Sequence, residues 1–348
     1  MELKTRIDAL ARLGKKLRNL NANGHQGEMA NELDQILSRA SAENGWFTPK
    51  NILFSFQKWA EALSRKNLEE WVSYNSTALS QEPRESKTVA IVMAGNIPLV
   101  GFHDFIAVLI TGNKVLAKLS SKDKILLPFI SEKLTEIEPE FRKYIEFTEG
   151  KLESFDAVIA TGSDNTSRYF DYYFGKYPHI IRKNRNSVAI LTGKENQTEL
   201  NLLADDIFRY FGLGCRNVSK LYVPEGYDFK DFFKGIYPWK DIVHNHKYIN
   251  NYDYNKAVYL MDNRPLLDNE FLLLKKDSGF SSPIGVVFYE KYNSLVNLEN
   301  ILEERSEQIQ CIVSQNGSFH GISFGETQQP KLWDYADGVD TIEFLVTL

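Results

Sequence analysis

TVAIVMAGNIPLVGFHDFIAVLITGNKVLAKLSS, residues 88–121, decides the fold. Its opening six residues (88–93) are a near-continuous apolar run, the pattern of a strand buried on both faces. Ala94-Gly95-Asn96-Ile97-Pro98 turns the chain, an apolar helix is expected over 100–110, and Thr111-Gly112-Asn113 stops it. KVLAK (114–118) then predicts a second strand. Strand, helix and strand in so few residues make a parallel crossover unit.

Working outward, the rhythm continues. A helix is predicted over 122–137, strands over 144–148 and 157–160, a helix over 164–174 and a strand over 187–191. A second alternation follows, with a helix over 199–210 and strands over 219–223, 257–261, 284–289 and 309–314. Alternation of this kind predicts an α/β protein with doubly wound parallel sheets, whose loops at the strand ends bind nucleotides. Upstream, Leu3, Ile7, Leu10, Leu13, Leu17 and Leu20 recur at helical spacing, with Lys15, Lys16 and Arg18 opposite them. Such a helix could lie on a membrane; packing on the protein's own body or on a second subunit is the better reading. Breaks at Asn44-Gly45 and Thr48-Pro49 separate it from helices over 51–64 and 68–79, and a polar linker spans 81–85. The expected division is a helical region over 1–86 packing on the nucleotide domain, a nucleotide-binding α/β domain over 87–191, a catalytic α/β domain over 192–315, and a C-terminal return over 316–348. The strand-like end of that return (338–348) could pair across an interface in a homodimer.

The bulk numbers narrow the function. The chain has 348 residues, 43% hydrophobic and 25% charged, as a globular enzyme does. A net charge of -5 leaves no basic surplus for wrapping nucleic acid. Only two cysteines, Cys215 and Cys311, exclude a disulfide scaffold and a cysteine-rich zinc site. The N-terminus has charges throughout, unlike a signal peptide, and the longest apolar stretch is too short to span a bilayer. A cytoplasmic protein is expected.

Several motifs carry chemistry. Gly212-Leu-Gly214-Cys215-Arg216-Asn217 places a cysteine among glycines between a helix and a strand. Such a thiol can be exposed and its thiolate stabilised by backbone N–H groups and Arg216; it can equally be a small buried hydrophobe. Cys311 shares a strand face with Ile309 and Val313 and reads as core. Asn96, directly after a strand, can be a turn residue or an oxyanion donor. Lys118 ends a strand and can reach a ribose or phosphate, and Thr161-Gly162-Ser163 suits a pyrophosphate at a helix N-terminus. There is no Gly-x-Gly-x-x-Gly and no Walker A motif. His244 and His246 could begin a metal site on a strand, but no third ligand stands near, so none is expected; they fit better in a substrate channel or on the surface. His103 and His179 read as structural.

The order of these parts resembles the aldehyde dehydrogenase superfamily. GNIPLVGFHDFIAVLITGNKVLAKLSS is similar to its Asn-x-Pro helix and following Lys-x-Ser strand, VIATGSDNTSRYF to its Thr-Gly-Ser loop and helix, and NSVAIL and GLGCRNVSKLYV follow in order, with a weaker match at SSPIGVV. Residues 88–290 carry the resemblance. Within the superfamily the chain resembles the LuxC family, acyl-CoA reductases typified by the fatty-acid reductase of bacterial bioluminescence. Aldehyde-oxidising relatives carry a water-activating glutamate shortly before the Ser-x-Ala-Ile strand; here that position falls at about Arg182.

The resemblance implies two α/β domains of the aldehyde dehydrogenase type with a helical extension. It implies Cys215 as nucleophile and Asn96, with the Cys215 N–H, as oxyanion donors. It implies Lys118 and Ser120 at the adenosine ribose, and Gly162 and Ser163 at the pyrophosphate. Relatives that prefer NAD often place a glutamate where this chain has Ser121, followed by Lys122; a carboxylate there would repel a 2′-phosphate, so NADPH is expected over NADH. Near Gly279 a glutamate that holds the nicotinamide ribose in relatives is missing. The substrate implied is the thioester of CoA or of an acyl-carrier protein. An acyltransferase or acyl carrier using the same cysteine is the alternative, and a non-catalytic scaffold a third.

Overall fold

The computed structural model describes residues 1–22, 28–79, 85–162, 164–317, 319 and 321–348. The chain folds as two units, Met1–Lys183 joined by Pro330–Leu348, and Asn184–Gln329.

The first unit opens with helices α1 (Leu3–Ala22), α2 (Glu28–Glu43), α3 (Pro49–Ala62), α4 (Arg65–Ser73) and α5 (Ser76–Leu79). The apolar stripe of α1 is spent inside the unit: Leu10, Leu13 and Leu17 are wholly buried, and α1 packs on α3. Burying each leucine contributes about 1.5–3 kcal/mol. Gly14 permits the approach, since a Cβ there would stand 2.8 Å from the Cβ of Leu63. α3 starts as its sequence dictates, with the Thr48 hydroxyl accepting from the Asn51 N–H and Pro49 in the first turn.

The sheet follows: β1 (Thr88–Val92), α6 (Phe102–Ile110), β2 (Lys114–Lys118), α7 (Leu126–Ile137), β3 (Ile145–Thr148), β4 (Ala157–Thr161), α8 (Asp164–Phe174) and β5 (His179–Arg182). All five strands are parallel in the order β3-β2-β1-β4-β5. α6 is apolar almost all round and lies in the core. The predicted first crossover is observed. The helix expected over 122–137 begins only at Leu126, because residues 119–125 turn and the Asp123 side chain accepts from the Leu126 N–H (3.2 Å). β5 was not foreseen.

The second unit contains β6 (Asn186–Ile190), α9 (Gln197–Phe208), β7 (Val218–Pro224), α10 (Lys230–Ile236), α11 (His246–Met261), β8 (Leu266–Asp268), β9 (Leu273–Lys276), β10 (Val286–Tyr292), α12 (Leu295–Glu304) and β11 (Ile309–Ser314). Its sheet runs β11-β6-β7-β10-β9-β8, with only β8 antiparallel to its neighbour. A capping box of Asn196 and Glu199 starts α9. β6 therefore belongs to this sheet and not to the first, and the boundary falls after Lys183, ahead of the expected one at 191. The strand expected over 257–261 is instead the last turn of α11. Asn245 caps that helix through the N–H groups of Lys247 and Tyr248, and the short apolar run merely ends it.

The C-terminal residues return to the first unit, where α13 (Thr341–Val346) is a helix and not the expected pairing strand. Asp340 caps it, and Ile342 and Leu345, one turn apart, are buried. Asn113, read as a helix stop, donates to the Leu345 carbonyl (3.3 Å).

Candidate active site

In the first unit the strand order reverses between β1 and β4, the switch point where open parallel sheets bind nucleotides. The loops after β1, β2 and β4 meet at that edge, with Val92 paired to Lys118 on one side and to Ala160 on the other. Asn96, Lys118, Ser120, Thr161 and Gly162 are half-buried there, and Ser121 and Lys122 are exposed. Ser163 lies outside the described residues. Two glycines let neighbouring side chains pack closely on the backbone at this edge. A Cβ on Gly95 would stand 2.5 Å from the Ser120 hydroxyl, and one on Gly162 would stand 2.8 Å from the Phe170 ring.

Asn44, read from sequence only as a helix break, contributes to the same edge. It is buried and donates Nδ2 to the carbonyls of Gly95 (3.3 Å) and Lys122 (3.2 Å). The helical extension thus pins the loop that carries Asn96 to the loop that carries Ser120 and Ser121. Asp123, two residues past Ser121, is a half-buried carboxyl group engaged by the backbone. It accepts from backbone N–H groups of Leu126, Leu99 and Ile125, and partial burial pushes it up to about 6 despite those donors.

In the second unit α9 ends at Phe208 and the chain enters a left-handed run, with φ of 52° at Tyr210, 60° at Phe211 and 75° at Gly212. Glycine tolerates this conformation; the two aromatic residues cost about 1–2 kcal/mol each. The run delivers Cys215, exposed, just before β7. Gly214 is not among the positive-φ residues. Its N–H donates to Asn217 Oδ1 (2.8 Å), and the Cys215 carbonyl accepts from Ser187 Oγ on β6 (3.0 Å). Arg216 donates Nε to the Thr327 carbonyl (2.6 Å), so that nitrogen is committed to a nearby loop and not to the thiolate. Asp206 on α9 anchors the same loop, accepting from the N–H groups of Gly325 (2.6 Å) and Thr327 (3.0 Å). Burial raises its carboxyl to about 7 against those two donors.

A family model described as acyl-CoA reductase (LuxC) matches residues 7–234. The chain belongs to the LuxC acyl-CoA reductase family. None of the curated proteins compared with it matches. Its fold is that of aldehyde dehydrogenases. It is similar to aldehyde dehydrogenase 21 from Physcomitrella patens, solved with the product succinate (12% identity, 100% of this chain and 84% of that one, TM-score 0.68). A Mycobacterium tuberculosis aldehyde dehydrogenase complexed with NAD+ also matches (13%, 90% and 73%, TM-score 0.61). So does the NADP-dependent glyceraldehyde-3-phosphate dehydrogenase from Bacillus halodurans C-125 complexed with NADP (15%, 92% and 75%, TM-score 0.60).

The remaining candidates of this LuxC-family chain separate cleanly. Cys311 is buried on β11 beside Ile309 and Val313, as its spacing predicted. His244 and His246 are exposed and lie at the end of a 3-10 turn and the start of α11, not on a strand. Among the described residues no group of three or more histidine, cysteine, aspartate or glutamate side chains could hold a metal, and no helix is long and apolar enough to cross a membrane. His103 bonds through Nε2 to the Leu332 carbonyl (2.8 Å) beside the rings of Trp71 and Tyr335, and His179 is exposed.

Arg182 ends β5 and is buried. It donates to Asp104 Oδ1 (2.7 Å), Thr341 Oγ1 (3.0 Å) and the Ala336 carbonyl (2.7 Å). Near Gly279 the sequence reading missed Lys220. This fully buried side chain on β7 donates to the carbonyls of Asp277 and Gly279 (both 3.1 Å) and pairs with Glu290. Burial lowers its affinity for the proton, and Glu290 opposes that.

Proposed function

We propose that this LuxC-family protein reduces an acyl thioester to an aldehyde with NADPH, through a covalent acyl group on Cys215. The observation that carries the proposal is the exposed thiol at the end of a strained left-handed turn in a chain of the acyl-CoA reductase family. Strain of this kind is kept where geometry serves chemistry.

The Cys215 thiolate attacks the thioester carbonyl, and Asn96 and the Cys215 N–H are assigned to the oxyanion. Collapse breaks the carbon–sulfur bond to CoA or an acyl-carrier protein; the departing thiolate takes up the proton that Cys215 gave up. Bound NADPH supplies the hydride that turns the acyl-cysteine into a thiohemiacetal. Cys215 then leaves as thiolate, and the carbonyl re-forms as the aldehyde. Arg182 bears on which path is taken: where aldehyde-oxidising relatives carry a water-activating glutamate, this chain has a buried, ion-paired cation. Without a base, water attacks the acyl-cysteine slowly and hydride or a thiol takes the acyl group.

The edge of the first sheet fits a dinucleotide. Gly95 and Gly162 let Ser120 and the Phe170 ring approach the backbone closely, and Lys118, Ser120, Thr161 and Gly162 stand half-buried at that edge; the resemblance assigns Ser163 to the pyrophosphate. The solved relatives include one complexed with NAD+ and one with NADP. NADPH is favoured because Ser121 and Lys122 are exposed where NAD-preferring relatives often carry a glutamate, while the Asp123 carboxyl is engaged by backbone N–H groups.

Cys215→Ser should abolish acyl-CoA-dependent NADPH oxidation; wild-type turnover in that variant would remove Cys215 as nucleophile. An acyltransferase using the same thiol is the second reading, favoured only if no quenching of tryptophan or change in nicotinamide fluorescence accompanies millimolar NADPH.

A further inference from the structure

We infer that Asn217, with Ser187 behind it, is a positioning residue that sets the place and reactivity of the Cys215 thiol; the inference rests on the reading of Cys215 as the acylated nucleophile. The last carbonyls of a helix have no partner within it. At the end of α9 two of them, on Asp206 and Arg209, accept from Asn217 Nδ2 at 3.0 and 2.9 Å. The same side chain accepts from the Gly214 N–H (2.8 Å) and is 3% exposed. One amide therefore ties the helix end to the residue before the cysteine.

The backbone closes the turn as well, because the Asn217 N–H donates to the Gly214 carbonyl (3.0 Å), placing Cys215 at the second position of a four-residue turn. On the other flank Ser187, wholly buried on β6, donates its hydroxyl to the Cys215 carbonyl (3.0 Å). Peptide groups on both sides of the cysteine are thus held by two side chains, one from the turn itself and one from β6.

What these bonds restrain is the left-handed run at Tyr210, Phe211 and Gly212. Two of its three residues prefer negative φ. With the ties cut, the run relaxes and carries the cysteine with it, while α9 and the β6–β7 pairing keep their own bonds. Attack on a carbonyl tolerates little displacement: about 1 Å costs about 100-fold in rate. The helix end also carries partial negative charge, which opposes a thiolate. The Asn217 amide covers two of the carbonyls responsible.

The test uses the full-length protein with Asn217→Ala and Ser187→Ala. Alkylation of Cys215 by iodoacetamide is followed from pH 6 to 9 by peptide mass spectrometry, which separates it from Cys311. Turnover with acyl-CoA and the Kd for NADPH are measured beside it. The expected result for N217A is turnover lower by about 100-fold, with an unchanged NADPH Kd. Its Cys215 alkylation should be slower, with a midpoint moved to higher pH. Turnover and alkylation within twofold of wild type in folded N217A would overturn the inference. Should N217A fail to fold, S187A decides: a fall of about tenfold supports it and wild-type behaviour refutes it. If wild type itself forms no acyl-Cys215, the nucleophile reading falls, and the alkylation midpoints alone decide the positioning.

Discussion

Arg182→Met removes a guanidinium that bridges three parts of the first unit. The wild-type side chain reaches Asp104 on α6, the Ala336 carbonyl, and Thr341 at the start of α13, at 2.7, 2.7 and 3.0 Å. Methionine replaces most of the stem volume, so the cavity contribution is small. The loss is electrostatic: Asp104 is left buried with only His103, whose Nδ1 stands 4.0 Å away. Breaking one side of a buried ion pair costs about 3–5 kcal/mol. For a unit of this size that lowers Tm by roughly 6–20 °C.

The pH dependence has a definite sign. Burial pushes the Asp104 carboxyl up, but Arg182 and His103 outweigh it and hold it well below the usual carboxylate range. In wild type this stabilisation is present above the unfolded value near 4 and lost as pH falls through the folded value. Without Arg182, burial dominates, Asp104 takes up a proton in the folded state, and the deficit of the variant shrinks as pH falls towards 5. Thermal melts at pH 5 and 8 read both effects, and Arg182→Met with Asp104→Leu should recover most of the loss, because two apolar groups replace the pair. A single variant within 1 kcal/mol of wild type, or a double variant no better than the single, would refute the reasoning.

Asp206→Asn tests a carboxyl group shifted the other way. Burial raises it to about 7, so its contribution is full below the unfolded value near 4 and fades as pH rises through 7, by about 4 kcal/mol in all. Asparagine cannot accept equally from both Gly325 and Thr327; the variant should be about 1 kcal/mol less stable at pH 5.5 and more stable than wild type at pH 8.5 by urea denaturation. Gly95→Ala should raise KM for NADPH about tenfold or more, because its Cβ would meet the Ser120 hydroxyl at 2.5 Å, and an unchanged KM would detach that loop from the cofactor.

The fold was legible where physical signals are local. The buried run at 88–92, the apolar helix over 102–110 and KVLAK announce themselves by pattern alone, and Cys311 by its alternation with Ile309 and Val313. The apolar ends of α11 and α13 were misread because a run of five such residues has no period of its own; the caps at Asn245 and Asp340 decide them. The polar residues that hold the candidate site were mostly missed. Asn44 finds its partners at Gly95 and Lys122, and Lys220 at Asp277, Gly279 and Glu290. Such links join distant stretches of chain, and nothing near Asn44 or Lys220 in sequence points to them. Asn217 offered a signal, two residues past the cysteine, but its second set of partners is the end of α9.

The central claim, an acyl group carried on Cys215, is tested most directly by intact-protein and peptide mass spectrometry after incubation with acyl-CoAs of several chain lengths, without NADPH. A mass increase equal to one acyl group, mapped to Cys215 and discharged when NADPH is added, is the predicted result. No adduct at any chain length, or an adduct on Cys311 alone, would contradict it.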